Sequence, residues 1–325
     1  MSLPALRQVR LRFPQAHIAV LAHEWVAGLY ARESFADRII PYPLKRGLRD
    51  LSAKWKLIRE LEDERFDCAL LLPNSFESAA AVWLARIPRR IGYNRDGRGL
   101  LLTQPVPRPE KGATPRHESF YYLELLRRAG WLERLPEEVV IRLEGIDSAR
   151  QAGEDRMLTL GLPAPVIGLS PGAAYGGAKR WLPERFAQAA GEVASRLQAS
   201  VAIFGTPAEK DLCQDVLSML PVVNARNLAG ETSLKEFIEL AAACRVFLTN
   251  DSGSMHIASA LGVPTVAIFG ATDHVATGPT GEFARVVREP VECSPCLLRE
   301  CPIDHRCMTR IPAERVARTA LDLLK

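Results

Sequence analysis

Four short apolar runs in the second half of the chain constrain its architecture most: Val166-Ile167-Gly168-Leu169, Val201-Ala202-Ile203-Phe204, Val246-Phe247-Leu248 and Thr265-Val266-Ala267-Ile268-Phe269. None alternates apolar with polar residues, so each reads as a strand covered on both faces. Each also breaks into small or polar residues and then into a helix-like pattern, which makes the strands parallel and the sheet open. In such a sheet the loops after the strands collect along one edge, where ligands bind.

The loops differ from ordinary turns. After Val246-Phe247-Leu248 comes Asn250-Asp251-Ser252-Gly253-Ser254-Met255-His256, leading into an Ala-rich helix expected over 255–261. A strand that restarts as a helix leaves backbone N–H groups unpaired with the helix dipole behind them, a place for an anion. Glycine lets the backbone approach a ligand, Asp251 adds a carboxylate, and His256 follows about a turn and a half along the helix. The plainer reading is that Asp251 or Ser252 caps the helix. Two further loops count against that reading. Ser170-Pro171-Gly172-Ala173-Ala174-Tyr175-Gly176-Gly177-Ala178-Lys179-Arg180-Trp181 is Gly-rich with two cations, and Gly270-Ala271-Thr272-Asp273 is a small-residue loop. A fourth, Gly205-Thr206-Pro207-Ala208-Glu209-Lys210, ends the Val201 run. The spacing matches neither a Walker loop nor a dinucleotide fingerprint.

In the first half, residues 17–22 and 66–72 read as parallel strands, and helical patterns lie near 48–64, 76–86 and 116–128. Residues 130–165, with Pro136, Pro163 and Pro165, read as a connection. The expected fold is therefore α/β, with two Rossmann-like domains facing a cleft, over residues 1–150 and 151–325. A chain of 325 residues, 47% hydrophobic and 25% charged, is long enough for two separate cores. No run reaches the roughly eighteen apolar residues of a membrane span, and no secretory pattern opens the chain, so a cytoplasmic protein is expected. The net charge of +4 is too slight, and too dispersed, for a nucleic-acid partner.

Lys179-Arg180-Trp181-Leu182-Pro183, the Asn-Asp-Ser-Gly-x-Met-His block and the Phe269-Gly270-Ala271-Thr272-Asp273 loop, in this order and at these separations, resemble the ADP-heptose:lipopolysaccharide heptosyltransferases of glycosyltransferase family 9. Leu72-Pro73-Asn74-Ser75-Phe76-Glu77-Ser78-Ala79 and Ile87-Pro88-Arg89-Arg90-Ile91-Gly92-Tyr93 are similar to the heptosyltransferase II branch, which adds the second inner-core heptose. Heptosyltransferase I is the alternative within the family. The resemblance implies a GT-B fold whose final helix, near 312–325, crosses back towards the first domain. It also implies metal-independent, inverting transfer of heptose from ADP-L-glycero-D-manno-heptose to the first heptose of a lipid-linked acceptor, heptosyl-Kdo-lipid A. Such an enzyme would sit peripherally at the inner face of the cytoplasmic membrane, and we expect a monomer.

Departure of ADP places negative charge on the diphosphate, which the protein must stabilise. Lys179 is assigned to that task, with Ser252, Gly253 and Ser254 as helix-terminal donors. Asp251 would hold a heptose hydroxyl and His256 would orient the site or touch a phosphate; these three, Lys179, Asp251 and His256, form the expected catalytic set. Ser170, Gly172, Thr272 and Asp273 would line the donor site, and Glu209 would meet the ribose. Asn74, Ser75 and His117 are acceptor-side candidates, with helix capping the competing role. Arg89, Arg90 and Arg95 read as a solvated basic face.

One departure from the family stands at the start. The heptosyltransferases open with a strand and a Gly-Asp-x-x-Met loop before the helix that Ser2-Leu3-Pro4-Ala5-Leu6-Arg7 resembles, and that loop carries the proposed catalytic Asp. We expect that strand and loop to be encoded upstream of Met1, since its loss would leave two sheet neighbours without a partner. A non-catalytic sugar-nucleotide binder is the rival that this departure supports. A nucleotide-sugar epimerase or oxidoreductase is a weaker one, because Tyr175 and Lys179 have Tyr-x-x-x-Lys spacing but lie in a Gly-rich loop.

Of seven cysteines, Cys293, Cys296, Cys301 and Cys307 fall close together, with His305 among them. Cys-x-x-Cys followed by two more thiols offers a structural zinc set. The second pair is spaced more widely than in a zinc ribbon, and the expectation is that no cofactor is required.

Overall fold

A computed structural model describes residues 1–42 and 51–325, and the chain divides into two compact units, Met1–Val139 and Val140–Lys325. The division falls ahead of the expected 150/151 boundary. The reason is a helix over Ile146–Thr159 in the stretch read as a connection, which runs through that boundary and packs on the helix Leu234–Ala242 of the second unit.

The first unit carries five short strands: β1 (Ala19–His23), β2 (Arg38–Tyr42), β3 (Cys68–Leu71), β4 (Arg89–Tyr93) and β5 (Gln104–Val106). All pair in parallel, but in two sheets, β1-β2 and β3-β4-β5. Among the described residues β1 and β3 each have a strand on one side only. Helices Leu51–Asp63, Phe76–Leu84 and Glu118–Arg128 stand near the expected positions; residues 48–50 of the first lie outside the described residues. The helix Leu3–Arg12 packs on Glu118–Arg128 through a cluster that includes Ala5, Phe120, Leu123 and Leu126.

The second unit is one six-stranded parallel sheet: β6 (Val166–Ser170), β7 (Ser200–Ile203), β8 (Ala225–Asn227), β9 (Val246–Asn250), β10 (Thr265–Phe269) and β11 (Ala284–Arg288), in the spatial order β11-β10-β9-β6-β7-β8. Every residue of the four central strands is buried, as expected of strands covered on both faces. The chain leaves β6 to one side for β7 and β8, then returns to its other side for β9. The order therefore reverses between β6 and β9, the point where an open sheet parts its loops into a crevice.

Helix Pro183–Leu197 shows why the layers hold. Proline at its start costs no hydrogen bond. Phe186, Ala187, Ala190, Val193 and Ala194 then recur on one face and are buried with Ile167, Leu169 and Val201. The last helix, Ala313–Asp322, buries Ala313, Val316, Ala317 and Ala320 at the same spacing. It packs on Pro183–Leu197 and the β10-β11 side of its own unit.

The contact between Ile146–Thr159 and Leu234–Ala242 is unusually close. A Cβ added at Gly153 would stand 1.9 Å from the backbone oxygen of Glu239, which cannot rotate aside. Alanine has the better helix propensity, by about 1 kcal/mol, but forcing the helices apart costs more. Gly153→Ala should therefore destabilise the protein by about 2 kcal/mol, read as a lower denaturant midpoint. An unchanged midpoint would show that the two helices separate freely.

Candidate functional site

The loops after β6, β7, β9 and β10 meet at the carboxyl edge of the second sheet, and β6 and β9 flank the crevice. Loop 171–181 leaves β6 and is fastened at both ends by one side chain. Asn250, fully buried at the end of β9, donates from Nδ2 to the Pro171 carbonyl (2.6 Å) and accepts through Oδ1 from the Trp181 N–H (3.0 Å). Trp181 anchors the same end: its indole is buried against Phe186 and donates to the Ile311 carbonyl at 3.2 Å. Sequence reasoning placed Asn250 in the motif and gave it no role.

This clasp brings together three of the expected residues. Lys179 Nζ lies 2.6 Å from Asp251 Oδ2, and the Thr272 hydroxyl donates to the same oxygen at 2.5 Å. Asp251 is 5% exposed, so its charge is held by Lys179 rather than by water. The carboxylate is thus turned to neighbouring loops, and Asp251 is not the helix cap of the plainer reading. Ser252 makes no capping bond from its side chain either. Its hydroxyl is 2.7 Å from that of Ser254, which donates to Ser170 Oγ at 2.7 Å and so ties the start of the helix Gly253–Ala260 to β6. Gly253 opens that helix with nothing within 4 Å of where a side chain would stand, and the backbone there is open to a ligand. His256 lies on the same first turn, half-buried.

Glu209 and Gly172 form the floor between the β6 and β7 loops. The Glu209 carboxylate accepts from the Thr206 N–H (2.8 Å) and hydroxyl (2.9 Å), and a Cβ at Gly172 would stand 2.1 Å from its other oxygen. Asp273 caps the short helix after β10 by accepting from the Val275 N–H at 3.0 Å.

The acceptor-side candidates belong to the first unit. Ser75 and His117 both cap helices, accepting from the Ser78 and Ser119 N–H groups at 3.2 and 3.4 Å. Asn74 donates to the Tyr121 hydroxyl at 2.9 Å, joining the loop after β3 to the helix Glu118–Arg128. Beneath it sits Arg98, fully buried, donating to the carbonyls of Tyr93, Pro73 and Ser75 and to Asn74 Oδ1. Arg90, read as solvated, instead donates to the Leu101 and Ile87 carbonyls.

The segment after β11 returns to the site. Ser294 donates to the Gly270 carbonyl (2.6 Å) and the Leu297 N–H to that of Ala271 (2.8 Å); the Ala178 N–H donates to Arg299 O (2.9 Å), and the Gly177 N–H to the Glu300 carboxylate (2.9 Å). All its cysteines are free thiols. Burial, and next the neighbouring Cys293, Cys301 and Cys296, push the Cys307 thiol up to about 11. Among the described residues no three His, Cys, Asp or Glu side chains are arranged to hold a metal ion.

Comparison with known proteins shows the family. The chain is 34% identical to lipopolysaccharide heptosyltransferase 2 of Escherichia coli over 295 residues, covering 89% of this chain and 84% of that protein. It is 32% identical to lipooligosaccharide heptosyltransferase 2 of Haemophilus influenzae over the same shares of the two chains. The solved structure of Escherichia coli ADP-heptose lps heptosyltransferase II superposes with a TM-score of 0.83 at 31% identity, over 99% of this chain and 94% of that one. Residues 54–306 match glycosyltransferase family 9 (heptosyltransferase), and the chain belongs to that family.

Proposed function

We propose that this protein transfers heptose from ADP-L-glycero-D-manno-heptose to the first heptose of the lipopolysaccharide inner core, with inversion at the anomeric carbon. The observation that carries the reading is the Lys179–Asp251–Thr272 constellation beside the open start of the helix Gly253–Ala260, at the point where the strand order reverses. When the acceptor hydroxyl oxygen bonds to the anomeric carbon, its proton passes to solvent, the bond to the diphosphate breaks and that bond's electrons leave with ADP. Lys179 and the N–H groups of Ser252, Gly253 and Ser254 meet that charge, a task that other transferases give to a metal. Asp251 receives a heptose hydroxyl in exchange for part of its bonding to Lys179 and Thr272. Ser170 and Gly172 shape the wall, Glu209 faces the ribose, and His256 steadies the first turn. In this reading no cofactor is required.

Asn74, Ser75 and His117 serve the acceptor. The capping bond of Ser75 leaves a second lone pair on its hydroxyl for a sugar hydroxyl. No helix among the described residues is long and apolar enough to cross a membrane. The exposed Trp25, Trp55, Phe76 and Trp83 of the first unit support peripheral contact with the membrane that carries the lipid-linked acceptor. The test is mass spectrometry of mono-heptosylated Kdo-lipid A after incubation with this chain and ADP-heptose. A gain of one heptose is expected. An unchanged acceptor with ADP bound would reduce the protein to a sugar-nucleotide binder.

A further inference from the structure

Lys179 is neutralised before any ligand arrives. Its ammonium is 2.6 Å from a buried carboxylate, so the pair brings little net charge to a diphosphate. Arg180, the other cation of the loop, turns back on the Ala173 carbonyl at 3.4 Å. A leaving nucleoside diphosphate carries more than one negative charge, and helix-terminal N–H groups supply only about half a unit of positive charge. A further cation is needed beside Lys179.

The structure holds one on the same aromatic ring. The guanidinium of Arg299 lies 5.4 Å from the centroid of the Tyr175 ring, and Lys179 Nζ lies 5.0 Å from the same centroid. Arg299 is exposed and pairs with no carboxylate among the described residues; Glu300, next in sequence, spends its carboxylate on the Gly177 N–H. Its backbone is tied to the loop that carries Lys179. Arg299 O accepts from the Ala178 N–H, Leu297 O accepts from the Tyr175 hydroxyl at 2.8 Å, and His305 Nε2 meets the Ala178 carbonyl at 3.0 Å. Gly176 admits no side chain because a Cβ would stand 2.2 Å from Arg299 O.

We propose that Arg299 is a second diphosphate-binding cation, brought to the donor site by the segment after β11 and poised on Tyr175 until the nucleotide enters. The inference rests on the donor-site reading above and deepens it. Arg299 leaves the ring face, where an exposed cation is held only weakly, for a charge-assisted bond to the terminal phosphate.

The test compares ADP and AMP binding by calorimetry in the full chain. Arg299→Gln should weaken ADP about tenfold and AMP much less, so that the preference for ADP over AMP shrinks, and Arg299→Lys should restore most of it. Equal losses for ADP and AMP would overturn the proposal, because a residue that merely braces the loop would weaken both. Unchanged ADP affinity in Arg299→Gln alongside a loss in Lys179→Ala would overturn it while leaving the donor site in place. No loss in either variant would overturn the donor-site reading together with it.

Discussion

Lys179→Ala should bind ADP about a hundredfold more weakly than the parent, whereas Asp251→Asn should bind it at least as tightly. The two residues form one ion pair, yet they act on the nucleotide with opposite signs. Removing Lys179 deletes a charge-assisted contact worth about 1.5–3 kcal/mol, roughly ten- to a hundredfold in affinity. It also leaves Asp251 charged and buried with Thr272 as its remaining partner, repelling the incoming phosphates. Removing the Asp251 charge instead frees Lys179 for the ligand. The double variant Lys179→Ala/Asp251→Asn should accordingly recover part of the affinity lost in Lys179→Ala. Transfer behaves differently, because Asp251→Asn loses the charged acceptor that holds the sugar hydroxyl, and turnover at saturating ADP-heptose should fall about a hundredfold. Calorimetry with ADP and a turnover assay separate the two effects. Equal losses of ADP affinity in both single variants would show that the pair only bridges two loops.

The same pair shows which parts of the architecture were legible in the sequence. Strands β6, β7, β9 and β10 are central, and burial on both faces demands the uninterrupted apolar runs that mark them. Strands β2, β4, β5, β8 and β11 carry Arg, Pro or Gln among three to five residues, and no apolar run marks them. The helix Ile146–Thr159 escaped because its buried stripe is Ala149, Gly153 and Met157, chosen for closeness to its neighbour rather than for apolar bulk. Among site residues, Lys179, Asp251 and Thr272 stood out because each lies in a loop at a strand's end, where polar residues have few structural duties. Ser75 and His117 were ambiguous for a physical reason: a helix start selects the same short polar side chains for capping as for ligand binding. Arg299 was hidden by its surroundings, since it lies among thiols whose spacing is that of a metal site. The distances that define its role join segments far apart in the chain.

Asn250 carries the largest structural effect of any site residue. Its partners are 79 and 69 positions away, so no local pattern announces it, and its amide supplies both the donor and the acceptor that they require. The Trp181 N–H must find an acceptor and the Pro171 carbonyl a donor, in an interior where each unsatisfied group costs about 1–3 kcal/mol. Asn250→Ala removes both bonds and should cost about 3 kcal/mol of stability, with ADP affinity falling further because loop 171–181 then holds Lys179 less firmly. Asn250→Asp tests the polarity of the clasp. Its carboxylate still accepts from Trp181 but faces the Pro171 carbonyl oxygen, so burial and repulsion raise its pKa above the unfolded value. The protonated acid donates to Pro171, and the stability it confers is present at low pH and lost as pH rises through the raised pKa. Asn250→Asp should therefore fall furthest below the parent at neutral pH and approach it when both are unfolded in denaturant near pH 5. A constant difference across that range would mean that Pro171 needs no donor, and an Asn250→Ala variant with parental stability and ADP affinity would mean that the loop is held by Trp181 alone.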